Sequence, residues 1–256
     1  MKIFYGLIGL MICTSLFGTV DHSSPFTHGS GVKIKRFALI GQRCSGTNFV
    51  EHLMKKNFPN CRFYVTDNVK DTPHKHHWPK IDGTTDFPFL HFDSCLFVLV
   101  VRNPYDWLSS LFIHSELMFA MRRKNFSTFL RCQARHVFED RRFDTHFGTN
   151  NPPFSNILAM RNYEIANFLE AGKRVKNFAV VSYDTVNSDP EGFIEYLANY
   201  FQLKRSRRFV SVNTYKGCKN RAYKPRNYAP ITPENLDFIF ENLNWDIENQ
   251  LGFFPR

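Results

Sequence analysis

Residues 41–48, Gly-Gln-Arg-Cys-Ser-Gly-Thr-Asn, gather a guanidinium, two hydroxyls and two glycines within one short turn. Gly41 and Gly46 hold the G-x-x-x-x-G spacing of a phosphate-cradling loop. The Lys and Ser/Thr expected directly afterwards in a nucleoside-triphosphate loop are here Thr47 and Asn48. The cation instead precedes the second glycine, as Arg43. A second group lies at 102–110, Arg-Asn-Pro-Tyr-Asp-Trp-Leu-Ser-Ser. The guanidinium of Arg102 can grip an oxyanion through paired N–H donors, and Ser110 can add a hydroxyl. A third, His74-Lys75-His76-His77-Trp78-Pro79, is either a polar loop or a tract able to chelate a metal.

The elements that must position these groups follow from the apolar patterning. Residues 37–40 read as a short buried strand, and Phe49, Val50, Leu53 and Met54 give the apolar face of a helix over 50–56. A strand running through this turn into a helix aims free backbone N–H groups and a positive dipole end at one point, which suits a phosphate or similar oxyanion. Residues 96–101, Leu-Phe-Val-Leu-Val-Val, are the strongest strand signal, expected of a central parallel strand that ends in Arg102. Shorter strands are expected at 62–65 and 178–183. Helices are expected over 111–121, over 156–171 up to Gly172, over 191–201 behind Asn187-Ser188-Asp189-Pro190, and over 233–243. Strands alternating with helices predict an α/β class: a single domain with a central parallel sheet flanked by helices.

Size and composition are consistent with that. A chain of 256 residues, 43% hydrophobic with 28 Phe, supports one substantial core and not two. The formal net charge of +10 favours anionic partners: a nucleotide, an acidic glycan, nucleic acid or an anionic membrane. Basic residues are scattered, apart from a cluster at 204–208, and no nucleic-acid-binding motif is present, so a nucleic-acid partner is not expected.

Residues 1–20 are an apolar run behind Met1-Lys2 and are expected to be a signal anchor or a cleaved signal peptide. Residues 21–32, rich in Ser, Gly, His and Pro, read as a short stem, leaving 33–256 as the functional domain facing a secretory lumen. In that compartment Asn125-Phe126-Ser127 is a glycosylation sequon. Of six Cys, Cys13 lies in the apolar run; the other five are equally readable as disulfide partners or buried thiols.

The order Arg43 then Ser45-Gly46-Thr47 resembles the 5′-phosphosulfate loop of sulfotransferases, in which Lys or Arg precedes Ser-Gly-Thr. Arg102 with Ser110 eight residues on resembles the 3′-phosphate motif of the same family. The run from 181 to 203, with Tyr183 and Asp189-Pro190, is also similar to that family. The resemblance spans about residues 36–256. It implies a P-loop-like sulfotransferase fold preceded by an N-terminal apolar helix, and transfer of a sulfonyl group from 3′-phosphoadenosine 5′-phosphosulfate to an acceptor hydroxyl or amine. It implies that Arg43, Cys44, Ser45, Gly46, Thr47 and Asn48 hold the 5′-phosphosulfate, that Arg102 and Ser110 hold the 3′-phosphate, and that Tyr183 lies near the adenine. Lys216-Gly217 is similar to the Lys-Gly of the family's nucleotide-closing segment. Lys75-His76-His77-Trp78-Pro79 matches its Lys-x-His-x-Pro segment. This makes His77, or alternatively His76, the general base, with Lys75 and Arg43 stabilising charge on the transferring group. No metal is implied, because Lys and Arg supply the positive charge. The sequence departs from the family at Cys44, where Lys or Arg is usual, and at Asn48, where a second Thr is usual.

A basic surface in the secretory pathway favours a carbohydrate acceptor. It also favours a Golgi membrane location with a lumenal catalytic domain, or secretion. Oligomeric state is not legible. Two other readings stay open: a non-catalytic lumenal nucleotide- or glycan-binding protein, which would bind without transfer, and a P-loop kinase, which would need Mg²⁺ and ATP.

Overall fold

The computed structural model describes residues 21–63, 93–114, 125–134, 154–214, 222 and 226–256. The expected apolar segment at 1–20 lies outside the described residues. Among the described residues no helix is long and apolar enough to cross a membrane.

Four strands, β1 (Arg36–Ile40), β2 (Arg62–Phe63), β3 (Cys95–Val101) and β4 (Phe178–Ser182), form one sheet in the order β2-β1-β3-β4, with every pair parallel. Side chains alternate across the sheet, as a period of two requires. Phe37 and Leu39 of β1, with Leu96, Val98 and Val100 of β3, enter a core on one face. Ala38 and Ile40, with Cys95, Phe97, Leu99 and Val101, enter a core on the other. β3 is buried along its whole length, which is why its sequence reads as an unbroken apolar run instead of an alternation.

Helix α1 (Thr47–Asn57) follows β1 and covers the first face through Val50, Leu53 and Met54. Helices α5 (Tyr183–Ser188) and α6 (Pro190–Tyr200) follow β4 onto the same face through Tyr183, Val186, Phe193, Ile194 and Leu197. Asp189 caps α6 by accepting from Gly192 N–H at 2.9 Å, with Pro190 opening the helix as expected. The opposite face is covered by α4 (Ile157–Gly172), whose Ile165, Phe168 and Leu169 are buried there. Helices α2 (Pro104–Ile113), α3 (Phe126–Arg131), α7 (Pro233–Asn242) and α8 (Trp245–Gln250) are the other helices among the described residues. The first three pack with the start of α4 in a third cluster around Trp107, Phe129 and Ile157. The expected α/β class with helices on both faces of a parallel sheet is therefore observed.

Two boundaries differ from expectation. Helix α2 stops at Ile113, where His114 takes a non-helical conformation, and the rest of the helix expected over 111–121 lies outside the described residues. The expected stem also does not stand off the body. His28 forms an antiparallel bridge with Phe178 on the free edge of β4, and Ser30 donates from N–H and hydroxyl to Asn177 Oδ1 at 2.9 and 3.0 Å. An open strand edge exposes unpaired N–H and C=O groups, and residues 21–32 supply partners for part of it.

The strand order places the site. From β1 the chain moves outward to β2, and from β3 it moves the other way to β4, so the crevice beyond the carboxyl ends of β1 and β3 is a topological switch point. Crossovers diverge to opposite sides there, leaving room for a ligand.

Candidate anion-binding site

The turn at 41–46 leaves β1 into that crevice. Gly41 has no alternative there, because a Cβ would lie 2.5 Å from the carbonyl oxygen of Val100. Gly46 is the N-cap of α1 with φ +94°, and a Cβ would collide with the ring of Tyr183. Between them Cys44 sits at φ +65°, a left-handed conformation uncommon for a side chain of this kind. No side chain caps α1 and no acidic residue occupies its first turn. The positive end of this 11-residue helix, with neither cap nor first-turn carboxylate, is able to take an anion.

The turn is tied down from below. Ser45 is buried, and both its hydroxyl and its N–H donate to Gln42 O, at 2.8 and 3.2 Å. Trp107 Nε1 donates to Arg43 O at 2.9 Å, and Arg102 Nη1 donates to Cys44 O at 3.2 Å. Gln42 leads inward to a fully buried guanidinium. Arg161 Nη1 donates to Gln42 Oε1 at 2.8 Å, and Gln42 Nε2 donates to Glu164 Oε2 at 2.6 Å. Arg161 also forms a two-point pair with Glu248, at 2.6 and 2.9 Å, and donates to Arg102 O at 3.0 Å. Its guanidinium lies 4.9 Å from the Trp107 ring. Arg161, Glu164 and Glu248 are all at or below 2% exposed; Glu248 pairs with Arg161, and Glu164 accepts from the Gln42 amide.

Arg102 stands where β3 ends. Its guanidinium lies between the rings of Tyr183 and Tyr228, 4.9 and 5.8 Å from their centroids, and its Nη2 donates to the Tyr228 hydroxyl at 3.3 Å. Its Nε is buried without a hydrogen-bond partner. Burial opposes its charge most, but Tyr228, Tyr183 and Asp184 together outweigh burial and raise its pKa. It is a permanently charged guanidinium with one buried donor unused. Asn103 follows, capping α2 by accepting from Tyr105 N–H at 3.1 Å, while its own N–H donates to Asp184 Oδ2 at 2.9 Å. Asp106 and Ser110 share one face of α2, His114 follows at its C-cap, and all three line the crevice.

The result is one cavity of about 1090 Å³. Of the residues expected to hold the nucleotide, Arg43, Cys44, Gly46, Thr47, Asn48, Arg102, Ser110 and Tyr183 all line it. Ser45 does not. Its hydroxyl is spent inside the turn, so its role is to shape the loop and not to touch a ligand. Tyr183 opens α5 instead of ending β4, and its ring is wedged between Gly46 and Arg102. Lys75, His76, His77, Lys216 and Gly217 lie outside the described residues.

Several lining groups escape the sequence reading. His114 sits one turn past Ser110, a spacing that could have flagged it. Tyr228 and Arg256 arrive from the C-terminal part of the chain, where nothing local signals the crevice. Arg256 lies over the Tyr105 ring and meets Asp106 at 3.5 Å. Among the described residues no group of three His, Cys, Asp or Glu is placed to hold a metal. Cys61, Cys95 and Cys132 are free thiols.

Compared with known proteins, the chain matches no family model and no curated sequence.

Proposed function

We propose that the crevice binds 3′-phosphoadenosine 5′-phosphosulfate and that the protein is a sulfotransferase with a P-loop-like fold. The observation that carries this reading is convergence. The turn after β1 and the strand-end arginine after β3, each suited to an oxyanion, open into one cavity at the switch point. A nucleotide with phosphates at both ends of its ribose needs two such sites facing one volume. The unpartnered Nε of Arg102 and the uncapped N-terminus of α1 fit the two anionic groups. The end of β3 presents this cation where a Mg²⁺-dependent phosphotransferase offers a carboxylate, which favours a metal-free oxyanion donor.

In this reading the donor supplies an activated sulfonyl group. The acceptor hydroxyl attacks sulfur as the bond to the 5′-phosphate oxygen breaks in line. The backbone N–H groups of 46–48 and the Arg43 guanidinium hold the charge that gathers on the departing phosphate. Arg102 and Ser110 fix the 3′-phosphate and so the orientation of the donor. His77 or His76 takes the proton lost by the acceptor, and the resemblance gives Lys75 the role of stabilising charge on the transferring group. A cavity of about 1090 Å³ is at the upper end of the usual span for a ligand site, roughly 300–1,000 Å³. The arginines on its rim favour an acidic carbohydrate, with the protein held in or secreted through the Golgi.

Calorimetric titration with 3′-phosphoadenosine 5′-phosphate in the presence of EDTA tests the reading. Binding is expected without metal, and Arg102→Ala is expected to weaken it roughly 10- to 100-fold, the loss typical of charge-assisted hydrogen bonds. No binding, together with a response to Mg·ATP, overturns the proposal in favour of a kinase. Binding without sulfonyl transfer to any glycan, tyrosyl peptide or small alcohol leaves a nucleotide-binding protein.

A further inference from the structure

The buried cluster beneath the turn contains one neutral member, Gln42, and its placement is specific. Its carbonyl oxygen accepts from Arg161 at 2.8 Å while its amide nitrogen donates to Glu164 at 2.6 Å. An amide is the side chain that can join a cation to a carboxylate by accepting from one and donating to the other. Gln42 is 3% exposed and makes no part of the cavity wall. Its main-chain carbonyl accepts both bonds from Ser45, so fixing the Gln42 side chain fixes the start of the turn that aims the N–H groups of 46–48. Arg161 meanwhile holds the main-chain oxygen of Arg102, so the same guanidinium braces both anion-binding segments.

We propose that Gln42 is the positioning residue of the anion-binding turn. It acts as a donor–acceptor bridge that locks the turn to the Arg161–Glu248 pair and sets its register against Arg102. The proposal concerns the geometry of the turn; its consequence for nucleotide affinity rests on the reading given above.

The chemistry of the bridge predicts a distinctive pattern. Gln42→Glu keeps the acceptor for Arg161 but sets a carboxylate against Glu164. Two carboxyl groups at hydrogen-bond distance share one proton if one is available, and the protonated pair reproduces the geometry of the amide. The charged groups facing position 42 are Arg161 and Glu164 from α4, with Glu248 from α8 behind Arg161 and Arg102 at the end of β3. The Gln42→Glu turn is therefore expected to loosen at neutral pH and tighten in mild acid. Exchanging both residues, Gln42→Glu with Glu164→Gln, restores the bridge at every pH. The new Gln donates to the new Glu, which still accepts from Arg161, and net charge is unchanged. Gln42→Met fills the space without either bond and is not rescued by acid.

The test is amide hydrogen exchange on the full chain, read at the Ser45 N–H and across residues 41–49 and corrected for the intrinsic effect of pH. It is paired with titration of 3′-phosphoadenosine 5′-phosphate. In Gln42→Glu at about pH 7.5, Ser45 exchange is expected to rise about tenfold or more and nucleotide affinity to fall comparably, with both recovering near pH 5.5. In the double exchange both are expected to match wild type at either pH. Failure of the double exchange to restore protection, whether through unfolding or a loosened turn, overturns the proposal. Equal behaviour of Gln42→Glu and Gln42→Met across pH overturns it too. If wild type binds no nucleotide, the functional reading fails, while the exchange data still decide the role of Gln42.

Discussion

Gly46 does two things that no other residue can do at once. It takes φ +94° to turn the chain into α1, and it leaves room for the Tyr183 ring, which in turn lies against the Arg102 guanidinium. Gly46→Ala meets both obstacles. The backbone conformation costs about 1–2 kcal/mol for an L side chain, and the forced shift of the ring adds a comparable amount. Total destabilisation on the order of 2–4 kcal/mol is expected, measured by urea unfolding. The two parts separate in a double-mutant cycle. Tyr183→Ala should remove the steric share of the Gly46→Ala penalty and leave the backbone share. Strict additivity of the two substitutions would show that the ring is not what Gly46 accommodates.

At the scale of elements, β3 decides both the sheet and the site, and its burial has a pH signature. Cys95 opens the strand at 1% exposure, and burial pushes its thiol up to about 12 from the ordinary 9.0, with Arg36 opposing weakly. The unfolded thiol ionises above pH 9 while the folded one keeps its proton, so the unfolded state binds fewer protons. Stability present below pH 9 is then lost as pH rises toward 12, at up to about 1.4 kcal/mol per pH unit. Cys95→Ala removes that loss, so its stability deficit relative to wild type should shrink by about 1 kcal/mol between pH 8.5 and 10. Parallel urea-midpoint curves for the two proteins would refute the assignment.

The sheet elements were legible because local signals agree: an apolar run for β3, strand–turn–helix patterning for β1 and α1, and Asp189-Pro190 ahead of α6. So were both segments that enter the crevice. The bracing of the turn was not. Gln42 reads as one polar residue in a polar loop, and its meaning comes from Arg161 and Glu164, which are 119 and 122 residues away. Arg161 and Glu164 look like exposed helix charges, yet both are buried because the start of α4 packs beneath the turn. Ser45 erred the other way: its type and place suggest a ligand contact, and the tight turn folds its hydroxyl inward.

At the scale of the whole molecule, the N-terminal stretch, the sheet and the far end of β3 meet at a single side chain. Asn177 is 1% exposed and uses both ends of its amide. Its oxygen accepts from Ser30 N–H and hydroxyl at 2.9 and 3.0 Å, and its nitrogen donates to Asp93 O at 2.8 Å and Cys95 O at 3.4 Å. It thus clamps residues 28–30 to β4 while fixing the entry to β3, the central strand whose other end carries Arg102. Asn177→Ala removes four hydrogen bonds held by one buried amide, each worth about 0.5–1.5 kcal/mol net. A loss of roughly 2–4 kcal/mol is expected on that basis, larger than an isolated surface hydrogen bond could give. Asn177→Asp keeps the acceptor for Ser30 but not the donors, and should fall between wild type and Ala. Because His28 covers part of the outer edge of β4, releasing this stretch should also open that edge to pairing between molecules. Hydrogen exchange at His28 N–H, whose partner is Phe178 O at 2.9 Å, should accelerate in Asn177→Ala before global unfolding, with faster aggregation on heating. Unchanged protection at His28 alongside a lowered Tm would place the effect of Asn177 within β3 and β4 alone, and would return residues 21–32 to the status of a stem.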